Sequence, residues 1–243
     1  MTLILILTIK GKIMKKIIIA TFLAAFSFTS ASADLGVNVG VSGQVGLFVA
    51  TATEQDLDRN NAAQNEKRSD REFLALGWHS IFVEKTFADR FFIGIDYVPS
   101  PLETKDKEEF KQDMNSAAEN LNTLGHSETS KLNKIKVEFS DLTTGYVGIF
   151  ITDNFYVKAG MSQVDIITKE NLGTGSVYGD TSIDGVTVGM GYNKTLDNGI
   201  FLRAEGMYTQ YDGASLTSDT GFNIISLDHL DGVAGKLSVG KSF

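Results

Sequence analysis

The chain has 243 residues, 42% of them hydrophobic, with a formal net charge of −8, 24 glycines, two prolines and no cysteine. The missing cysteines exclude a disulfide scaffold, a cysteine zinc site and a thiol nucleophile. The acidic balance argues against a nucleic-acid partner, and 10% aromatics with so few prolines exclude a disordered or collagen-like chain.

At the N-terminus, Met14-Lys15-Lys16 is followed by an apolar stretch from Ile17 to Phe28, and Ala31-Ser32-Ala33 is a small-x-small site before Asp34. The apolar stretch is far shorter than the roughly 20 residues a spanning helix needs. Residues 1–33 therefore read as a cleaved signal peptide, with Met14 as a candidate start. That segment holds Lys10, Lys12, Lys15 and Lys16 and no acid, so its removal takes the net charge from −8 to −12. Residues 34–243 contain no apolar run fit for a membrane helix, and an exported chain of this kind is periplasmic, secreted or a barrel in an outer membrane.

From Leu35 to Val49 the odd positions are mostly valine and leucine, and the even ones Gly36, Asn38, Gly40, Ser42, Gln44 and Gly46. This period-two pattern predicts a strand long enough to cross a bilayer at a tilt. Seven more strands follow. In Leu74–Phe82 the apolar row is Leu74, Leu76, Trp78 and Phe82, which leaves His79 on the small face; in Phe91–Val98 it is Phe91, Ile93, Ile95 and Tyr97. Ile135–Phe150 is β-rich but changes phase near Asp141, which predicts a bulge. Phe155–Ser162, Val186–Asn193, Leu202–Thr209 and Val233–Gly240 complete the set. Short turns at Ala88–Arg90, Thr152–Asn154 and Leu196–Gly199 alternate with long loops at Thr53–Asp70, Pro99–Lys134, Lys169–Asp184 and Asp212–Leu227. Asn198-Gly199 is a strong hairpin signal. Within the longest loop, Phe110, Met114, Ala117, Ala118, Leu121 and Leu124 recur at helical spacing, predicting an amphipathic helix over Lys105–Leu124.

These features predict an all-β fold: an antiparallel, up-and-down transmembrane barrel of eight strands, with short periplasmic turns and long extracellular loops. The small, polar face points inward, because eight strands leave room inside for little more than side chains. Trp78, Phe91, Tyr97, Phe155, Tyr192, Phe201 and Tyr208 are candidates for the aromatic girdles. The signal peptide, four hairpins and terminal Phe243 resemble the small OmpA/OmpX-type outer-membrane barrels. The resemblance covers residues 34–243. It implies that the last strand, with Leu237, Val239 and Phe243, is an assembly signal for the barrel-assembly machinery. It also implies outer-membrane lipids and lipopolysaccharide as surroundings. Lys241 departs from the pattern, with a stem suited to snorkelling.

The lumen carries the candidate site. Asp96, Lys158, Arg203, Glu205 and Lys236 fall on the inward face, three cations against two acids, with Asp141 as the candidate third acid. Such charges need partners, so an ion-pair network filling the lumen is expected, with a pore lining as the alternative. No catalytic, cofactor-binding or metal-ligating pattern emerges. His79 and Ser80 point to opposite faces and cannot form a dyad, and His126-Ser127 has no orienting acid. Gly173, Gly175 and Gly179 lack the residues of a phosphate loop. Asp180, Asp184, Asp212 and Asp219 match no calcium loop. The expected function is that of an outer-membrane barrel with a structural or surface-interaction role. The alternatives are a narrow passive pore, a lipid-modifying enzyme and a soluble ligand-carrying barrel, the last disfavoured by a glycine-rich, polar inner face.

Overall fold

The computed structural model describes residues 36–57, 66–88, 90–104, 107–111, 131–172, 177–219, 221 and 223–243. The signal-peptide segment, His126-Ser127 and most of the helix expected over Lys105–Leu124 lie outside them. The strands are β1 (Val37–Asp56), β2 (Glu66–Phe87), β3 (Phe91–Tyr97), β4 (Leu102–Glu103), β5 (Lys107–Lys111), β6 (Lys131–Phe150), β7 (Phe155–Leu172), β8 (Thr181–Thr195), β9 (Ile200–Tyr211), β10 (Ala214–Thr217) and β11 (Asn223–Ser242).

Eight of them form a ring in the order β1-β2-β3-β6-β7-β8-β9-β11, every pair antiparallel, closed by β1 against β11. The three short strands lie outside the ring order: β4 and β5 pair with β6, and β10 with β11. β5 corrects part of the expected helix. Lys107–Lys111 is extended, because Lys131–Ile135 of β6 offers it an edge to pair with. β3, β4 and β5 run in turn along β6, interrupted at Pro99 and Pro101, which have no N–H to give to a ladder.

The strands also reach further than the sequence pattern suggests. Much of each expected long loop is ladder: β1 and β2 stay in register out to Asp56 and Glu66, and β6 and β7 out to Asn133 and Leu172. Alternation fades there because both faces leave the apolar surroundings that impose it. The three short turns fall at one end. Gly199 takes a positive φ of 78° and donates its N–H to the Leu196 carbonyl at 2.9 Å. The Thr152 hydroxyl accepts the Phe155 N–H at 3.0 Å. The first residue of β1 and the last residue of the chain meet at the same rim, where Val37 and Phe243 exchange backbone hydrogen bonds of 3.1 and 2.8 Å.

Outward-facing positions form an apolar belt. Val45 and Leu237 are 69% exposed and Met190 67%, on strands whose alternate residues are buried. β6 changes phase at a bulge between Ser140 and Thr143, where Asp141 adopts a left-handed φ of 54°. Before the bulge Val137 and Phe139 pack against the apolar cluster of Val164, Ile166, Ile183, Tyr211 and Leu230, and after it Tyr146 is buried in the lumen.

Candidate functional site

The lumen is built in layers. Towards the turn end, aromatic side chains are laid across glycines on the neighbouring strand. Phe82 faces Gly40, Phe92 faces Gly148, Tyr146 faces Gly94, Tyr156 faces Gly191 and Phe201 faces Gly240, each pair directly opposite in the ladder. A Cβ built on any of these glycines would come within 2.6 Å of the facing ring. The glycines are there to admit the rings, which contact one another: Phe92 and Tyr156 lie edge-to-face, 5.2 Å between centroids.

Arg203 sits among these rings, 5.1 to 5.4 Å from the centroids of Phe201, Tyr156 and Phe82. Both of its terminal nitrogens donate to Glu84, at 2.6 and 2.8 Å, and the Tyr146 hydroxyl donates to the same carboxylate at 2.8 Å. One layer up, Lys158 pairs with Glu205 at 2.5 Å, and Lys236 pairs with Asp96 and stands 4.0 Å from Glu205. Ser80 donates to Asp96 at 3.0 Å and accepts from Gln44 at 2.9 Å. All six charged groups are buried, and three cations balance three acids. Buried charges persist when each finds an opposite partner, and here every one has an opposite charge within 4.0 Å. Above them runs a chain of hydroxyl contacts, Thr144–Ser162–Thr187–Thr209, at 2.8, 3.1 and 2.8 Å.

All five luminal residues expected from the sequence are therefore brought together. The sixth is Glu84, not Asp141. Asp141 lies on the bulge, exposed, and accepts a hydrogen bond from the Tyr97 hydroxyl at 3.2 Å. Glu84 escaped notice because β2 has the opposite phase to the one expected. Its inward row includes Trp78, Ser80, Phe82 and Glu84, and His79 points out, exposed. Trp78 and Phe201 accordingly belong to the lumen and not to a girdle. Phe91, Phe155, Tyr192 and Tyr208 do face outward and are exposed. A signal for Glu84 existed across the next turn: Phe87 opposes Phe91, so Glu84 opposes Gly94, two residues from the inward Asp96.

Beyond the ion pairs an apolar cluster of Val164, Ile166, Ile183, Tyr211 and Leu230 enters the lumen where a polar lining was expected. A cavity of about 70 Å³ lies there, with Phe48, Trp78, Val98 and Leu102 on its apolar wall and Asp96, Lys158 and Lys236 also lining it. At the last strand, Leu237 and Val239 face outward and Phe243 is exposed at the rim, while the Lys241 ammonium bonds the Asn198 carbonyl. The acidic loop residues hold backbone: Asp180 accepts the Thr168 N–H and Asp219 the Val177 N–H. Among the described residues no cluster of acids and histidines could hold a metal.

A closed antiparallel ring, apolar outside and ionised within, decides the architecture. The fold is that of the small outer-membrane β-barrels. No protein-family model matches the chain, and no curated protein does. Among solved structures it is similar to the outer membrane protein OprG from Pseudomonas aeruginosa, at 11% identity and a TM-score of 0.45, over 84% of this chain and 96% of that one. It is also similar to the outer membrane protease OmpT from Escherichia coli, at 8% identity and 0.44, over 89% and 100%. A third is Ail, the attachment invasion locus protein of Yersinia pestis, in complex with the heparin analogue sucrose octasulfate, at 11% and 0.38, over 83% and 99%.

Proposed function

We propose that this protein is an integral outer-membrane barrel with a structural or surface-interaction role, closed to ions through its base, and not an enzyme. The observation that carries this reading is the pairing of an apolar outer belt with a base sealed by three cations, three acids and packed rings. A sheet closed on itself satisfies its backbone within the ring, as a hydrocarbon environment demands. An ion crossing the base would have to displace the bidentate Arg203–Glu84 pair, whose side chains are 3% and 1% exposed. The ladders of β1–β2 and β6–β7 carry the chain beyond the belt, towards lipopolysaccharide and the cell's surroundings. The final strand, with Leu237, Val239 and Phe243, is the part offered to the barrel-assembly machinery. One observation weighs against a His79-based hydrolase: His79 and Ser80, adjacent on β2, lie on opposite faces of the wall.

The test is fractionation followed by planar-bilayer recording. The protein is expected to require detergent for extraction, to migrate faster on gels before boiling than after, and to show no steady conductance. A freely soluble protein would overturn the membrane placement. A large ohmic conductance in the unmodified protein would replace the closed barrel by a pore.

A further inference from the structure

The outer wall is basic on one side and acidic on the other just beyond the apolar belt, at the end away from the short turns. The β1–β2 ladder keeps one register from Val37–Lys85 to Asp56–Glu66. Thr51, Thr53 and Gln55 therefore share the outward face of Val45 and Leu47, and Lys67, Ser69 and Arg71 that of Phe73, which is 72% exposed. Between Val49 and Gln55, and between Lys67 and Phe73, this face carries two cations and no acid. Glu54, Asp70 and Glu72 fall on the opposite face, the one that Phe48 and Ala50 turn to the luminal cluster. β11 and β10 widen the outward face. Ser69, Thr53, Ser226 and Ser215 form one rung of hydroxyls across four strands, with Thr53 donating to Ser69 at 3.3 Å and Ser226 and Ser215 standing 3.0 Å apart. On β7 and β8, by contrast, the outward residues at the top of the belt are Asp165 and Asp184, each next to an inward isoleucine. The acid nearest the basic face is Asp231, opposite Val49, and it accepts from Tyr208 and Gln210.

We infer that this basic face docks the phosphorylated glucosamine disaccharide of a neighbouring lipopolysaccharide. The docking rests on the outer-membrane placement proposed above. Arg71 offers a phosphate a planar fork of donors and Lys67 a point charge. They are exposed and lie four residues apart on one face of β2, about 13 Å along the strand. A disaccharide phosphorylated at both ends carries its two charges over a similar span. Ser69 and its rung run between the two cations, where the sugar would lie, and hydroxyls donate or accept as sugar hydroxyls require. Below Arg71, whose guanidinium stands 5.5 Å from the Phe73 ring centroid, Phe73 and Leu47 meet the acyl chains. One exposed ion pair is worth little; two at a fixed spacing select a ligand with two phosphates. The acidic side could take the same lipid only through a bridging divalent cation.

The test titrates the purified barrel, in a neutral detergent, with lipid A bearing two phosphates, with lipid A bearing one, and with phosphatidylglycerol, and counts bound lipid by native mass spectrometry. The two-phosphate lipid is expected to bind at least tenfold more tightly than phosphatidylglycerol and several-fold more tightly than the one-phosphate form, and to stay bound in EDTA. Lys67→Gln with Arg71→Gln is expected to abolish that preference. Arg90→Gln with Lys194→Gln, which removes the same charge from exposed positions at the turn end, is expected to keep it. Heat-modifiable migration checks that each variant is folded. Equal binding by the unmodified protein and Lys67→Gln with Arg71→Gln, an equal loss in the turn-end pair, or equal affinity for phosphatidylglycerol overturns the docking face. Release by EDTA would mean attachment through acids and divalent cations, and overturns it too. A protein that stays in solution without detergent fails the outer-membrane placement and the docking face with it. One that needs detergent and shows no preference for the second phosphate fails the docking face alone.

Discussion

Arg203 is the most densely contacted charge in the lumen, with two hydrogen bonds to Glu84 and three rings around it. Removing one member of such a pair leaves the other charged, desolvated and alone, which costs about 3–5 kcal/mol in buried sites. Glu84→Ala is expected to lower the barrel's stability by that order. Glu84→Ala combined with Arg203→Leu is expected to recover a large part of the loss, because the double variant strands no charge. Urea unfolding in detergent, followed by Trp78 fluorescence, makes the comparison. A double variant no more stable than Glu84→Ala would show that the pair is not the unit that matters. Glu205 touches two lysines; on its removal Lys236 keeps Asp96, and Lys158 is the cation left without its acid.

At the scale of strands, the glycine–aromatic pairs fix which neighbours fit. Gly148→Ala would set a Cβ 2.1 Å from Phe92 Cζ, whereas Gly206, on the outer face, has nothing within 4 Å. Gly148→Ala is expected to cost about 1–3 kcal/mol through overpacking, and Gly206→Ala to be neutral or slightly stabilising. Similar urea midpoints for the two would remove the steric account. Above the belt, β4 is tied to β6 by Lys136–Glu103, with Lys169 bridging Glu103 and Glu138. The hydrogen bond donated by Lys136 holds the Glu103 carboxyl below its ordinary range, and the one Lys169 donates to Glu138 raises Lys169. A depressed carboxyl stabilises the folded form above its unfolded pKa and ceases to as pH falls through the folded value. Exchange of the Thr104 N–H, bonded to the Val137 carbonyl at 2.9 Å, is therefore expected to lose protection once the pH drops below the ordinary carboxylate range. An unchanged protection factor there would mean that the tie carries no load. Strands such as β9 and β11 were legible because one face is apolar and the other small or charged, so lipid and lumen write opposite rows. β2 was not, because Leu74, Leu76, Trp78 and Phe82 line the lumen while Ala75, Gly77 and His79 face outward, the reverse of the hydropathy rule. The bulge at Asp141 was legible as a break in phase, but the phase alone could not say that the acid itself would be turned outward.

For the molecule as a whole, three short turns, the start of β1 and the end of β11 share one rim, so an even ring has one periplasmic end and one extracellular end. A cysteine at Gly179, an exposed position with open space around it, is expected to react with an impermeant maleimide on intact cells. One at Asp197, in a short turn, is expected to react only after lysis. Labelling at Asp197 alone would invert the barrel. Phe243→Ser is expected to lower the yield of folded, heat-modifiable barrel without altering its thermal stability once folded, since the ring is exposed and the backbone bonds to Val37 remain. Equal yields would dispose of the assembly role.

The closure of β1 on β11 has a consequence for every incomplete form of this chain. Its register pairs Asn38 with Ser242, so the first strand made waits for the last. Until then the growing sheet shows two bare edges of backbone donors and acceptors, the kind of surface that recruits another chain. The entropy of closing so long a loop rises only with the logarithm of its length, so delay, more than free energy, is what separates the open sheet from the ring. A fragment ending before β11 keeps both edges for good. It has most of the residues of the barrel and none of its insularity, and its natural partner is another copy of itself.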